Sequence, residues 1–129
     1  MGNGYRLLVV EDDPALCDSI ADVLRFTGYE VDTAQDGEAA LRRLREAPRP
    51  DAILLDLVLP RMNASRLLDT IDAAFWPPPA VVLMTGMPPR EGGDARAGDD
   101  VLLKPFDVDE LLARIERACT AGSDLRASP

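Results

Sequence analysis

Residues 51–57, Asp51-Ala52-Ile53-Leu54-Leu55-Asp56-Leu57, form an apolar run that closes on a carboxylate, with Pro48 and Pro50 before it and Pro60 after it. A continuous Ile/Leu segment of this length between prolines predicts a strand buried on both faces, as in a parallel sheet covered by helices. Asp56 then stands at the strand's carboxyl end. In open α/β sheets that edge is where ligands bind, because loops and helix N-termini converge there. An acid directly after buried leucines also loses hydration unless a polar or cationic group meets it. Taken alone, such an Asp more often caps a helix or begins a turn than carries chemistry. What else gathers at the same edge decides between the two.

The bulk composition sets limits. A chain of 129 residues fits one domain with a single core. Its formal net charge of −9, with no histidine, disfavours nucleic acid or an anionic membrane face as a partner and suits cations or basic protein surfaces. There is no apolar run long enough to span a membrane, and Met1 to Tyr5 lacks the pattern of a signal peptide, so a soluble, cytoplasmic protein is expected. Cys17 and Cys119 fall at apolar-periodic helical positions and read as reduced core thiols rather than a disulfide or metal pair.

Along the chain, strand and helix signals alternate. Tyr5 to Val10 is a strand ending on Glu11-Asp12-Asp13-Pro14, where Asp13 is an N-cap and Pro14 the first helical residue. Leu16, Ile20, Val23, Leu24 and Thr27 recur at helical spacing, and Gly28 supplies a left-handed C-terminal position. A short strand, Tyr29 to Thr33, precedes a helix with Ala40, Leu41, Leu44 and Ala47 on its apolar stripe and Arg42, Arg43 and Arg45 on a solvated face. After the Asp56 strand comes a helix carrying Leu67, Leu68, Ile71 and Phe75, stopped at Trp76-Pro77-Pro78-Pro79. Ala80 to Met84 is a fourth strand with Thr85 at its end. Met87 to Asp100 has five Gly/Pro breakers among fourteen positions and no apolar stripe, which argues against a full helix. Val101 to Leu103 is a fifth strand ending on Lys104-Pro105-Phe106, and a last helix runs from near Asp107 to Gly122, with residues 123–129 a loose tail.

This alternation predicts an α/β fold, a (βα)5 doubly wound, five-stranded parallel sheet of flavodoxin-like type with a shortened or irregular fourth helix. All five strands then end on one edge. Glu11 with Asp12, Asp56, Thr85 and Lys104 gather there from four separate strands, and that convergence overturns the plain capping reading of Asp56. Two carboxylates about 5 Å apart repel by roughly 3 kcal/mol at an effective dielectric of about 20, so the acids need cations. Lys104 neutralises one. Oxygen-only ligands with open positions suit Mg²⁺, and Mg²⁺ beside an ammonium invites phosphate. A carboxylate in that setting can attack phosphorus to give an aspartyl phosphate, with the Thr85 hydroxyl and Lys104 on the phosphoryl oxygens.

The sequence resembles the receiver domain of two-component response regulators from about Tyr5 to Ala121. The resemblance rests on Leu8-Val9-Val10-Glu11-Asp12-Asp13, Asp36-Gly37-Glu38-Ala39-Ala40-Leu41, Leu54-Leu55-Asp56-Leu57-Val58-Leu59-Pro60, Met84-Thr85-Gly86 and Leu103-Lys104-Pro105-Phe106. It implies that Asp56 accepts a phosphoryl group from a sensor histidine kinase or histidine phosphotransfer protein, and that the domain signals to a downstream protein effector rather than turning over a substrate as an enzyme. It further implies that Asp12, Asp56 and the Val58 carbonyl ligate Mg²⁺ with help from Glu11, that Thr85 and Lys104 bind the phosphoryl oxygens, and that the Lys104-Pro105 bond is cis.

Two positions depart from the family pattern. Asn63-Ala64 replaces its usual Asp-Gly, and Val101 stands where an aromatic residue usually swings inward. A valine cannot act as that switch, so the Gly/Pro-rich residues 87–100 are expected to report the signal by reordering. Two other readings stay open: a pseudo-receiver that only docks, and a Mg²⁺-dependent aspartyl-phosphate phosphatase of the haloacid-dehalogenase type. The latter needs a second acid two residues after the nucleophile, where this chain has Val58. Residues 1–121 are expected to form the receiver, with 122–129 a flexible tail or the start of a linker to an output domain.

Overall fold

The computed structural model describes residues 4–46, 48–58, 64–75, 77–86 and 100–127. Its elements follow the predicted order: β1 (Arg6–Val10), α1 (Pro14–Phe26), β2 (Glu30–Ala34), α2 (Gly37–Glu46), β3 (Ala52–Asp56), α3 (Ala64–Ala74), β4 (Ala80–Thr85), β5 (Asp100–Leu103) and α4 (Val108–Ala127), while the shortened or irregular helix expected between β4 and β5 falls outside the described residues. The five strands form one parallel sheet in the order β2-β1-β3-β4-β5.

The two-residue period of the strands divides the core in two. Leu7, Val9, Ala52, Leu54, Val82, Met84 and Leu102 meet α1 and α4 on one face, through Cys17, Ile20, Leu24, Leu111, Ile115 and Cys119. Leu8, Val10, Ile53, Leu55, Val81 and Leu83 meet α2 and α3 on the other, through Ala40, Leu67, Leu68 and Ile71. Covered on both sides, every residue of β3 is buried, which is why its sequence is continuous rather than alternating. Both cysteines are buried thiols, outside any disulfide, in the first of these cores.

Local chemistry sets the element ends. The Asp13 carboxylate accepts hydrogen bonds from the N–H groups of Ala15 (3.0 Å) and Leu16 (3.4 Å) at the start of α1. At its far end Gly28 has φ 107°. There the Gly28 N–H donates to the Arg25 carbonyl (3.0 Å) and the Tyr29 N–H to that of Leu24 (3.1 Å), a Schellman closure. Asp36 and Asp107 cap α2 and α4 by accepting from Ala39 (2.7 Å) and Glu110 (2.8 Å). At the pole opposite the strands' carboxyl ends, Asp51 ties three segments together. Its N–H donates to Arg6 (2.7 Å), its carbonyl accepts from Ala80 (3.2 Å), and its carboxylate accepts from the Arg6 N–H (2.8 Å). Beside it the Arg49 guanidinium donates to the carbonyls of Pro50 and Pro77.

One boundary differs from expectation. The last helix does not end at Gly122 but continues to Ala127. A glycine inside a helix costs only about 1 kcal/mol, and no proline follows until Pro129. The loop residues 59–63, including Asn63, together with Trp76 and the Gly/Pro-rich residues 87–99, lie outside the described residues. No helix among those described is long and apolar enough to cross a membrane.

Tyr29, 6% exposed, seats its ring in the α1/α4 core. Burial, reinforced by Cys119, Glu116 and Tyr5, pushes its phenol up to about 12. The folded state thus holds this proton more tightly than the unfolded chain. The resulting stability is complete below pH 10 and is lost as pH rises towards 12, by up to about 3 kcal/mol. Urea unfolding of Tyr29→Phe and the parent at pH 8 and pH 11.5 should show a smaller alkaline loss for the variant.

Candidate functional site

β1 and β3 are neighbours, yet the chain leaves β1 for β2 on one side before returning to β3 and continuing outward to β4 and β5 on the other. The winding reverses between β1 and β3, and such a switch point leaves a crevice outside the strands' carboxyl ends. Glu11 and Asp12 directly follow β1, and Asp56 ends β3. Ligand oxygens of Glu11, Asp12 and Asp56 lie within 4.8 Å of one another. Glu11 is 1% exposed and Asp56 4%, whereas Asp12 opens to solvent.

One ammonium joins the two buried acids. Lys104 Nζ donates to Glu11 Oε2 at 2.9 Å and to Asp56 Oδ2 at 3.4 Å. Lys104 is delivered by β5, whose pairing with β4 sets Leu103 against Thr85. The Lys104 N–H donates to the Thr85 carbonyl at 2.7 Å, and the following Lys104-Pro105 peptide is cis. Thr85, 7% exposed, ends β4 on the same edge.

Burial pushes the Glu11 carboxyl above its ordinary 4.5; the Lys104 hydrogen bond pulls it back, and the nearby Asp56 pushes it up again. Burial alone would lower the Lys104 ammonium, but its hydrogen bond to Glu11 and the charges of Asp56 and Glu11 outweigh that and hold it above 10.5. Each partner keeps the other in place: the acid needs a counter-charge to be buried, and the base is retained by the acids.

Two contacts have no signal in the sequence. The Val58 N–H donates to Asp56 Oδ1 at 3.0 Å, and the Asp13 N–H reaches Glu11 Oε1 at 3.4 Å. Any residue but proline supplies an N–H, so only the backbone path reveals such donors. Both Asp56 oxygens are therefore engaged, one by Val58 and one by Lys104. Val58 itself is 73% exposed at the mouth of the crevice. Val101 is half-buried and packs against the α2/α3 core.

Residues 7–116 match the model of the response regulator receiver domain. The chain belongs to this family. Response regulator MprA of Mycolicibacterium vanbaalenii is 39% identical over 112 residues, covering 85% of this chain and 48% of that protein. DNA-binding response regulator MtrA of Mycolicibacterium smegmatis is 36% identical over 122 residues, 92% of this chain and 52% of that one. The chain thus spans about half the length of the curated relatives it matches. Chemotaxis response regulator CheY4 of Vibrio cholerae matches in structure with a TM-score of 0.81 at 27% identity, covering 89% of this chain and 98% of that one. The matched range, residues 7–116, takes in all five strands and the acidic crevice at their carboxyl ends.

Removing the Lys104 charge tests the pairing. In Lys104→Met the buried Glu11 loses its counter-ion, so stability at pH 7 should fall by about 1–3 kcal/mol. Glu11 would then rise further above 4.5, and a group raised in the folded state favours folding where it is protonated. The deficit against the parent should shrink as pH falls below about 5, read from urea midpoints across pH 4–8.

Proposed function

We propose that this receiver domain takes up a phosphoryl group on Asp56 from a partner sensor histidine kinase or histidine phosphotransfer protein and thereby switches its contacts with a downstream protein. The observation that carries the proposal is the Lys104 ammonium held between Glu11 and Asp56 at 2.9 and 3.4 Å, in the crevice where the sheet's winding reverses. A lysine there serves a second purpose once charge arrives: its Nζ can pass from the carboxylates to an incoming phosphoryl oxygen without crossing more than a hydrogen-bond length.

The donor set suits Mg²⁺. Three carboxylates with oxygens within 4.8 Å and no nitrogen or sulfur ligand favour a hard cation, and the exposed Asp12 leaves room for water ligands. Glu11, Asp12, Asp56 and the Val58 carbonyl would hold it, and bound Mg²⁺ supplies charge neutralisation for the transferring group. In the transfer a carboxylate oxygen of Asp56 attacks phosphorus. The bond from phosphorus to the donor nitrogen breaks, and its electron pair leaves with that nitrogen, which takes up a proton. The product is an acyl phosphate on Asp56. Lys104 and the Thr85 hydroxyl then stabilise charge on the phosphoryl oxygens. Each Asp56 oxygen now meets one donor, Val58 N–H or Lys104, and keeps a further lone pair with which to attack.

In this reading the domain is not a turnover enzyme, acts in the cytoplasm and makes no direct contact with nucleic acid. Residues 1–121 form the receiver unit, and its last helix carries the chain beyond that boundary to Ala127. Incubation with acetyl phosphate and Mg²⁺ should add one phosphate to the intact mass, and Asp56→Asn should abolish the addition. Lys104→Met should lower its yield at least tenfold. An unchanged mass with every phosphodonor would favour a domain that only docks.

A further inference from the structure

β2 is one of the sheet's two edge strands, and the parity of its pairing shows which groups face outward. Glu30 donates its N–H to Tyr5 (2.9 Å) and Ala34 accepts from Glu11 (3.0 Å), so the backbone groups of residues 30, 32 and 34 turn to β1 and those of 31 and 33 turn out. The Val31 carbonyl is covered by the Arg25 guanidinium at 2.8 Å. That leaves Thr33 as the outward-facing residue beside a groove of about 570 Å³. Ala39, Arg42, Arg43 and Glu46, one stripe of α2 at helical spacing, form its other wall. The small Ala39 leaves the depression and the two arginines flank it.

The charges are unusual for this chain. Arg42, Arg43 and Arg45 put three guanidinium groups into four residues of a molecule with net charge −9, yet none of the three takes part in an ion pair or side-chain hydrogen bond among the described residues. The groove's carboxylates sit at its two ends, with Asp36 already capping α2 through Ala39. An extended segment laid along an open strand edge gains backbone hydrogen bonds, while its side chains reach flanking pockets. The central charge of this groove calls for an acid on that segment.

From this we infer that the β2–α2 groove is a docking site for an extended, acidic segment of a partner protein, which pairs with Thr33 and places a carboxylate between Arg42 and Arg43. Such a site lies on the sheet edge away from β3, so Asp56 need not change for it to be filled.

The test uses the full chain and two synthetic probes, the peptide Val-Glu-Val-Glu-Val and its Gln counterpart. Amide spectra should show shifts confined to residues 33–36 and 39–46 with the Glu peptide, and affinity at least tenfold weaker with the Gln peptide. Arg42→Gln with Arg43→Gln should cost a similar factor, whereas Arg45→Gln, outside the groove, should change affinity less than twofold. An equal loss from Arg45→Gln, shifts elsewhere, tighter binding of an oligothymidylate, or no shifts at all would each overturn the assignment and leave α2 a solvated face. Binding should persist in Asp56→Asn, which separates this result from the phosphoryl-transfer test.

Discussion

The contact on which the arrangement depends is a single ammonium shared by two buried acids. Glu11 and Asp56 arrive from strands that are neighbours in the sheet but separated by forty-five positions in sequence, and Lys104 arrives from a third strand two places further out. Unpaired, acids at 1% and 4% exposure would carry a heavy desolvation cost. Paired, they share one counter-charge that offsets this cost. The same contact links folding to chemistry, because the strand order that covers both faces of β3 also brings the three residues within hydrogen-bond reach.

Much of this architecture was legible in the residues. Continuous runs such as Ala52 to Leu55 identify doubly covered strands because burial on both sides removes alternation. Asp13-Pro14 and Gly28 mark the ends of α1 because their preferences act through one or two local hydrogen bonds. Glu11, Asp12, Asp56, Thr85 and Lys104 could be assigned to one edge once the strands were known to be parallel, since parallel strands end together. What could not be read was relational. That Lys104 takes Asp56 at 3.4 Å and Glu11 at 2.9 Å depends on side-chain reach across two strand gaps to the first and three to the second. The Val58 N–H on Asp56 depends on a turn whose donor is common to all residues but proline. The run of α4 past Gly122 shows the reverse error, a local breaker outweighed by the helix already propagating into it.

The departure at Val101 is also clarified by packing. Half-buried against the α2/α3 core, it is a filling residue in a sheet face made of Val81, Leu83 and their neighbours. Its β-branched side chain is restricted at χ1 and has no ring to swing inward. The site chemistry and the sheet's structural demands thus part company at β5: Lys104 serves the crevice and Val101 serves the core, three residues apart.

The knot at Asp51 and the acid at Asp56 lie at opposite ends of one five-step span, roughly 16 Å of strand. β3 therefore works as a ruler. Its origin is fixed by bonds to Arg6 and Ala80, and its last mark is a carboxylate. Because side chains alternate, gaining or losing one residue within the ruler would turn that carboxylate to the opposite face of the sheet. A change of length between Asp51 and Asp56 would therefore take the carboxylate out of the crevice, a consequence that substitutions within the span do not share.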